Sequence, residues 1–312
     1  MTESTDPAAG APETARCGFV ALLGAPNAGK STLANALTGA KVSIVSPKVQ
    51  TTRTRVLGIT TVDRTQVILV DTPGIFQPRR RLDRAMVSAA WQGAADADIV
   101  ALLVDAAKAE ERTDKDTVRI IEGLKKNNRD AILLLNKIDL LKRERLLAVA
   151  DRLNSEGNFS KIFMISALNG SGIGDFLDFC AAQLPPGPHL FPADQLSDMP
   201  DRLLAAEITR EKLYLNLHQE LPYALTVETE TWEERRDGSV KIEQTIYVQR
   251  DSQKSIVLGK GGQQVKRIGA SAREELEALF DRRVHLFLFV KVRDKWQDDP
   301  ARYRDWGLDF SA

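Results

Sequence analysis

The sequence predicts a doubly wound α/β domain followed by a smaller α+β domain. Three observations carry that prediction. Between Gly18 and Leu184 short apolar runs alternate with helix-like stretches, the pattern of strand–helix–strand units around a parallel sheet. The first run opens onto Gly24-Ala25-Pro26-Asn27-Ala28-Gly29-Lys30-Ser31, which fits the phosphate-binding loop G-x-x-x-x-G-K-[ST] in its strand–loop–helix setting. Five prolines at 185, 186, 188, 192 and 200 then break the last helix and mark a stiff linker. At 312 residues two domains are expected. The reading places a disordered tail at 1–16, the first domain at 17–184, the linker at 185–200 and the second domain at 201–312.

In the first domain the strand candidates are Phe19–Leu23, Val67–Val70, Ile99–Val104, Ala131–Leu135 and Ile162–Ile165. Unbroken apolar runs of this length suit strands buried on both faces. Helix-like stretches fall at Ser31–Leu37, Leu82–Gln92, Lys115–Lys126, Arg143–Leu153 and Gly174–Leu184. By residue type alone, Lys41–Arg55 reads as an exposed polar loop.

Composition excludes several classes. Lys plus Arg and Asp plus Glu number 43 each, so formal net charge is zero and any polyanion site must be a local patch. The two cysteines, Cys17 and Cys180, argue against a disulfide framework and fit a reducing cytoplasm. His189, His218 and His285 are scattered and suggest no metal cluster. Residues 1–16 lack the basic and apolar blocks of a signal peptide, and no apolar run reaches the ~18 residues of a membrane span.

Ligands of doubly wound sheets sit at the carboxyl ends of the strands, and the polar motifs fall there. In the first loop Gly24 and Gly29 allow backbone angles that a side chain forbids. The loop N–H groups can then face a phosphate, with the next helix N-terminus behind them. Lys30 suits the β- and γ-phosphates, and the Ser31 hydroxyl suits Mg²⁺. Asp71-Thr72-Pro73-Gly74 follows the second strand; Asp71 can hold Mg²⁺ through water, and Gly74 can swing its N–H onto a γ-phosphate. Asn136-Lys137-Ile138-Asp139 follows another strand. Its Asp139 carboxylate matches the two donors of guanine, a pair adenine lacks. Asn136 and the Lys137 stem brace base and loop, and the backbone of Ser166-Ala167 can meet the guanine oxygen.

Together these stretches resemble the translation-factor class of GTPases. The resemblance implies a GTP/GDP site formed by residues 24–31, 71–75, Asn136, Lys137, Asp139, Ser166 and Ala167. It also implies a first switch at Gln50-Thr51-Thr52-Arg53, with Thr52 completing the Mg²⁺ shell. Ras-type enzymes carry a water-orienting glutamine after Asp-x-x-Gly; here Ile75 stands in that place. An isoleucine cannot hold a water, so Asn27, Thr51, Thr52 and Gly74 are the candidates around the water and the cations. Asn27 with an apolar residue at 75 resembles the branch that includes Era and TrmE. In that branch the asparagine helps to bind K⁺, here with Thr51 as a further candidate ligand. Such an ion takes the part of an arginine finger, worth ~10³–10⁵ in rate where a protein supplies it. The alternative is an Asn27 that only caps its loop.

In the second half, Asp201–Gln219 reads as a helix. Leu225–Glu234 and Ser239–Gln249 read as strands joined around Arg236-Asp237-Gly238, a hairpin signal. Gln263–Phe280 reads as a helix and Val284–Val292 as a final strand. Ahead of that helix, Gly259-Lys260-Gly261-Gly262 fits the GXXG loop of a type II KH module, which clamps about four nucleotides of single-stranded nucleic acid. Arg250, Lys254, Lys260, Lys266 and Arg267 flank it against one acid, Asp251, a local basic patch in a neutral chain. Ile256, Val257 and Val265 are expected to offer apolar surface to bases.

A GTPase of this switch pattern followed by a type II KH module resembles the Era family, from about Gly18 to Gly307. The resemblance implies binding to the 3′ end of small-subunit (16S) ribosomal RNA, assistance to 30S subunit assembly and a cytoplasmic, monomeric protein. It further implies peripheral association with the inner face of the membrane and a linker packed on the first domain. The competing reading is a KH RNA chaperone whose first domain binds GTP but turns it over slowly.

Overall fold

A computed structural model describes residues 15–312. The expected tail lies outside the described residues up to 14, while Arg16 already opens the first strand. In chain order the elements are β1 (Arg16–Gly24), α1 (Lys30–Thr38), β2 (Val56–Val62), β3 (Thr65–Asp71), α2 (Arg81–Asp96), β4 (Ile99–Asp105) and the one-turn α3 (Ala106–Ala109). They continue with α4 (Lys115–Lys126), β5 (Ala131–Asn136), α5 (Arg143–Glu156), β6 (Phe159–Ile165) and α6 (Ile173–Gln183). The second half holds α7 (Asp201–Asn216), β7 (Leu225–Glu234), β8 (Val240–Val248), α8 (Asp251–Leu258), α9 (Gln263–Phe280), β9 (Val284–Val292) and α10 (Pro300–Asp305).

The first sheet has the order β2-β3-β1-β4-β5-β6, parallel except for β2. Every position of β3 and of β5 is buried, because helices cover both faces and leave no solvent side for polar residues. The helices between the strands are locally specified. In α4, for example, the Asp114 carboxylate accepts from the N–H groups of Asp116 and Thr117 at 3.1 Å, and Lys125 and Lys126 close the last turn, which suits the helix dipole. The crossover at β1, with β3 on one side and β4 on the other, opens the crevice into which the Gly24–Ser31 loop projects.

The proline-rich segment lies along this sheet. Cys17 N–H donates to Pro185 O (3.2 Å), and Ile59 N–H donates to Leu196 O (2.8 Å). The fully buried Gln66 amide binds Leu190 N, Phe191 N and Phe191 O at 2.9, 3.1 and 2.9 Å. Each such bond is worth about 1 kcal/mol net, so the segment is fixed to β1–β3 rather than spanning free solvent.

The second sheet has the order β7-β8-β9, with β8 antiparallel to β7 and parallel to β9. The hairpin turns through Gly238 at φ 80°. Helices α7, α8 and α9 cover one face, over a core that includes Leu213, Ile246, Val257 and Ile268. After β9 the chain returns to the first half. Trp296, Tyr303 and Leu308 pack with Leu82, Ala85 and Met86 of α2, and Arg81 lies 4.3 Å from the Phe310 ring centroid.

One expectation fails here, and β2 lies where no strand is expected. The segment Lys41–Arg55 is not an exposed loop: Val42, Ser43, Ile44, Thr52, Arg53 and Thr54 are buried, because it is wedged between the two halves. Glu211 of α7 accepts from Val45 N–H at 2.7 Å and from Lys41 at 2.6 Å, and Lys48 donates to the carbonyls of Tyr214 and Leu217. Cys17 and Cys180 are buried and unpaired. No helix among the described residues is long and apolar enough to cross a membrane.

Candidate nucleotide and nucleic-acid sites

The Gly24–Ser31 loop takes its shape from two glycines. At Gly29 (φ 104°) a Cβ would strike the Asn136 amide, and at Gly24 (φ 157°) it would come within 2.6 Å of Leu103 O. Asn136 ties this loop to the one that follows β6: its amide donates to Ala28 O (2.8 Å), and its oxygen accepts from Ala167 N–H (3.0 Å). Lys30 lies buried under the loop and donates to Gly24 O (3.1 Å) and Ala25 O (3.2 Å). Burial pushes its pKa down to about 8, partly opposed by Asp71.

Around Ser31 the oxygens converge. Ser31 Oγ is 2.8 Å from Thr52 Oγ1, and Asp71 Oδ2 accepts from Ser43 Oγ (2.7 Å) and Thr52 Oγ1 (3.5 Å). Burial raises the Asp71 pKa, opposed by Lys30 and by the hydroxyls of Ser31, Ser43 and Thr52. The other carboxylate oxygen, Asp71 Oδ1, is buried with no hydrogen-bond partner. These residues fit Mg²⁺. The ion prefers oxygen ligands at 2.0–2.1 Å in an octahedron, whose cis edge is about 2.9 Å, close to the Ser31–Thr52 separation. Ser43 carries no sequence signal for this role; only the fold brings it to Asp71.

A cavity of about 240 Å³ adjoins these groups, lined by Pro26, Asn27, Lys30, Ser31, Thr51 and Gly74 among others. Asn27, at φ 65°, donates its amide to Pro47 O (2.9 Å), and Thr51 Oγ1 donates to Lys48 O (2.7 Å). Lys137 also borders the cavity and pairs with Asp105 at 2.6 Å. Asp139, two residues beyond Lys137, is exposed, with no hydrogen bond or ion pair among the described residues.

Three of the expected nucleotide contacts turn inward instead. Thr72, Pro73 and Ile75 are all buried; Thr72 donates to Leu22 O (2.7 Å), and Ile75 N–H donates to Gly24 O (3.1 Å) while its side chain joins the core beside Leu23 and Ala90. They shape the turn and do not line the cavity. The N–H groups of Ser166 and Ala167, expected to meet guanine, are engaged by Ser171 O and Asn136 Oδ1.

In the second half the GXXG loop sits between α8 and α9, with Gly259, Gly261 and Gly262 at φ 70°, 58° and 78°. A Cβ at Gly259 would lie 2.6 Å from Gln264 Cβ, whereas at Gly261 and Gly262 it would meet nothing. Lys260 and Lys266 are exposed, Lys254 is half-buried, and Arg267 reaches back to Asn216 Oδ1 (3.0 Å). Ile256 is 58% exposed beside them. Val257 is the correction: it is fully buried among Ile246, Leu213 and Ile268 and presents no surface to a base. Val265 packs against the same core.

Comparison with known proteins agrees with both halves. A family described as 50S ribosome-binding GTPase matches residues 19–137, and the KH domain family matches residues 220–297. GTPase Era of Bradyrhizobium diazoefficiens is 59% identical over 300 residues, covering 96% of each chain. The Mesorhizobium japonicum GTPase Era is 60% identical over 293 residues, 94% of each chain. The chain belongs to the Era family of GTPases. It is a GTP-hydrolysing enzyme built from a P-loop GTPase domain followed by a KH domain. Two solved Era structures superpose on it. One, in complex with MgGDPNP and nucleotides 1506–1542 of 16S ribosomal RNA, has a TM-score of 0.88 at 37% identity over 94% of this chain and 99% of that one. The other, an Aquifex aeolicus Era variant bound to GDP and aluminium fluoride, has a TM-score of 0.87 at 38% identity with the same coverage.

Proposed function

We propose that this GTPase is a molecular switch that binds the 3′ end of small-subunit ribosomal RNA through Gly259–Gly262 and its basic flanks, and thereby assists 30S assembly. The observation that carries the reading is the match over 94% of the chain to an Era structure holding both MgGDPNP and that RNA segment, together with a glycine loop of the required shape. Residues 17–184 act as the nucleotide domain, 185–200 as the connector and 201–312 as the RNA domain. Residues 24–31, Gly74, Asn136, Lys137 and Asp139 hold the nucleotide. Ser31, Thr52 and, through water, Asp71 hold Mg²⁺, which neutralises phosphate charge when bound. Lys30 supplies a second positive charge from below. Asn27 and Thr51 form the K⁺ site, both at the cavity wall. The protein works in the cytoplasm as a monomer, with peripheral contact to the inner membrane as a secondary location.

Ile75 gives the alternative its weight. A buried side chain with its N–H committed to Gly24 O orients no water, so intrinsic turnover is slow and needs a cation or RNA to speed it. Single-turnover GTP hydrolysis in K⁺ and in Na⁺, each with and without 3′-end RNA, tests this. Acceleration by RNA, larger in K⁺, is expected of the switch. A rate indifferent to RNA leaves a chaperone with a GTP-binding regulatory domain, and equal rates in both salts remove Asn27 and Thr51 as K⁺ ligands.

A further inference from the structure

Asp83 is a buried carboxylate that makes no ion pair among the described residues. It stands in the first turn of α2 and is 6% exposed. Its two oxygens are used differently. Oδ2 accepts from the N–H groups of Arg79 and Arg80, both at 3.0 Å, which closes the start of the helix. Oδ1 accepts from the Gln50 amide at 3.1 Å. A helix cap needs only the first oxygen. The second holds a residue of the first switch, and Gln50 is the only side chain that hydrogen-bonds this carboxylate among the described residues.

A second observation falls on Gln50. Its backbone is left-handed, at φ 57°, which is uncommon for a residue other than glycine. Such a conformation persists where the surrounding contacts over-determine it. Here two contacts do so: the Tyr214 hydroxyl of α7 donates to Gln50 O at 3.3 Å, and the side chain is tied to Asp83. Gln50 also borders two cavities. One is the cavity of about 240 Å³ beside Lys30 and Ser31; the other, of about 470 Å³, is lined by Phe76, Arg79, Asp83 and Tyr223 among others.

We propose that Gln50 and Asp83 are a positioning pair for GTP hydrolysis, whose hydrogen bond fixes the first switch to the loop between Asp71 and α2. These two segments meet at two points. At one, Thr52 Oγ1 donates to Asp71 Oδ2 (3.5 Å); at the other, Gln50 donates to Asp83. Thr51 and Gly74 lie between the two points in sequence, and both line the nucleotide cavity. Two anchors fix the separation of the segments, whereas one anchor leaves a hinge. Neither Gln50 nor Asp83 has to touch the reacting atoms, because a misplacement of about 1 Å costs ~10²-fold in rate. The core position of Ile75 gives this placement its weight, since its side chain holds no water and the other groups of the two segments must do so. The inference rests on GTP hydrolysis and not on the reading of this protein as an RNA binder.

Single-turnover GTP hydrolysis by the full chain tests it. Gln50→Glu leaves the cap on Arg79 and Arg80 in place and sets two carboxylates against each other. Hydrolysis should fall by ~10–100-fold, the equivalent of one charged hydrogen bond, with GDP affinity within about threefold of wild type. Adding Asp83→Asn should bring the rate back to within about threefold of wild type. The new oxygen still accepts from Arg79 and Arg80, and the new amide donates to the new carboxylate, so the bond re-forms with donor and acceptor exchanged. Asp116, on the wall of the same second cavity, supplies the control. Gln50→Glu with Asp116→Asn restores the net charge without restoring the bond, and should stay slow. Wild-type hydrolysis by Gln50→Glu overturns the proposal. So does a loss that Asp83→Asn does not repair, or one that Asp116→Asn repairs equally, since the effect then belongs to position 50 alone or to net charge. Thermal melting checks each variant. Where Gln50→Glu does not fold, Gln50→Leu, which only removes the donor, decides in its place: a loss of ~10-fold supports the pair and an unchanged rate overturns it.

Discussion

Replacing Arg53 by methionine should unhook the segment that carries Thr52 to Ser31 and Asp71. Arg53 is 2% exposed and reaches into the KH half. Its guanidinium donates to Leu225 O (2.9 Å) and to the Tyr214 hydroxyl (3.1 Å), and it lies 5.5 Å from the Trp296 ring centroid. On the other side of Thr52, Arg210 of α7 donates to Thr51 O. The KH half thus grips the chain both before and after Thr52. Charged hydrogen bonds are worth about 1.5–3 kcal/mol each, and a carbonyl or hydroxyl left unpaired in a buried site costs about 1–3. Against this, methionine removes the cost of burying a guanidinium whose Nε has no hydrogen-bond partner among the described residues and fills most of its volume. The net loss is about 2–3 kcal/mol of docking, or ~30–150-fold in the docked fraction. Hydrolysis should fall by ~10–100-fold in single turnover, since it depends on Thr52 being in place. GDP affinity should stay within about threefold of wild type, because the loop after Gly24 and the guanine contact are untouched. Arg53→Lys, which keeps the charge but not the fork, should lie between. Thermal melting controls for folding. An Arg53→Met protein that is folded and hydrolyses GTP at the wild-type rate would refute this coupling.

Two further outcomes are expected. Asp139→Asn should weaken GTP by ~10²–10⁴-fold and favour xanthosine triphosphate, whose exocyclic carbonyl suits an amide donor; unchanged GTP affinity would remove the guanine assignment. Lys30, held at about 8 by burial against 10.5 unperturbed, should make both stability and nucleotide affinity pH-dependent. Below pH 8 the lysine is charged in the folded and the unfolded chain, and its burial costs about 3 kcal/mol. Between 8 and 10.5 the fold sheds the proton first, so this cost is relieved as pH rises. Phosphate favours the charged lysine, so nucleotide affinity should fall above pH 8 by up to ~tenfold per unit, with proton uptake on binding. GDP titrations between about pH 7 and 9, with calorimetry in two buffers of different ionisation heat, measure this; a flat profile without proton uptake contradicts it.

The fold and the phosphate site were legible where the signal is local. The runs that became β3 and β5 are apolar at almost every position because both faces are covered, and the loops at their ends stand out as short polar motifs. β2 was not legible: Gly58, Thr60 and Thr61 interrupt it, and its strand character comes from pairing with β3. The burial of Lys41–Arg55 depends on Glu211, Tyr214 and Trp296, far along the chain, so its polar residues read as solvent-facing. Val257 and Ile256 show a third limit. Neighbours on a helix point about 100° apart, and only the packed structure decides which of them enters the core. At Ile75 the sequence offers no side chain that could hold a water. It did not show that the residue is a core residue whose N–H closes the phosphate loop.

The central claim is that nucleotide state in one half governs RNA held by the other at Gly259–Gly262. Binding of labelled small-subunit 3′-end RNA to wild type and to the Lys260→Asp, Gly261→Asp variant, in a GTP analogue and in GDP at two salt concentrations, tests it directly. The variant should fold, because Gly261 has open space around its Cβ and aspartate tolerates a left-handed backbone. It should bind GTP normally, release the RNA and show a salt slope flatter by about one for each phosphate it no longer neutralises, while wild type binds more tightly in the GTP analogue than in GDP. Wild-type RNA affinity and salt slope in the variant, or a wild-type affinity indifferent to nucleotide, would contradict the account.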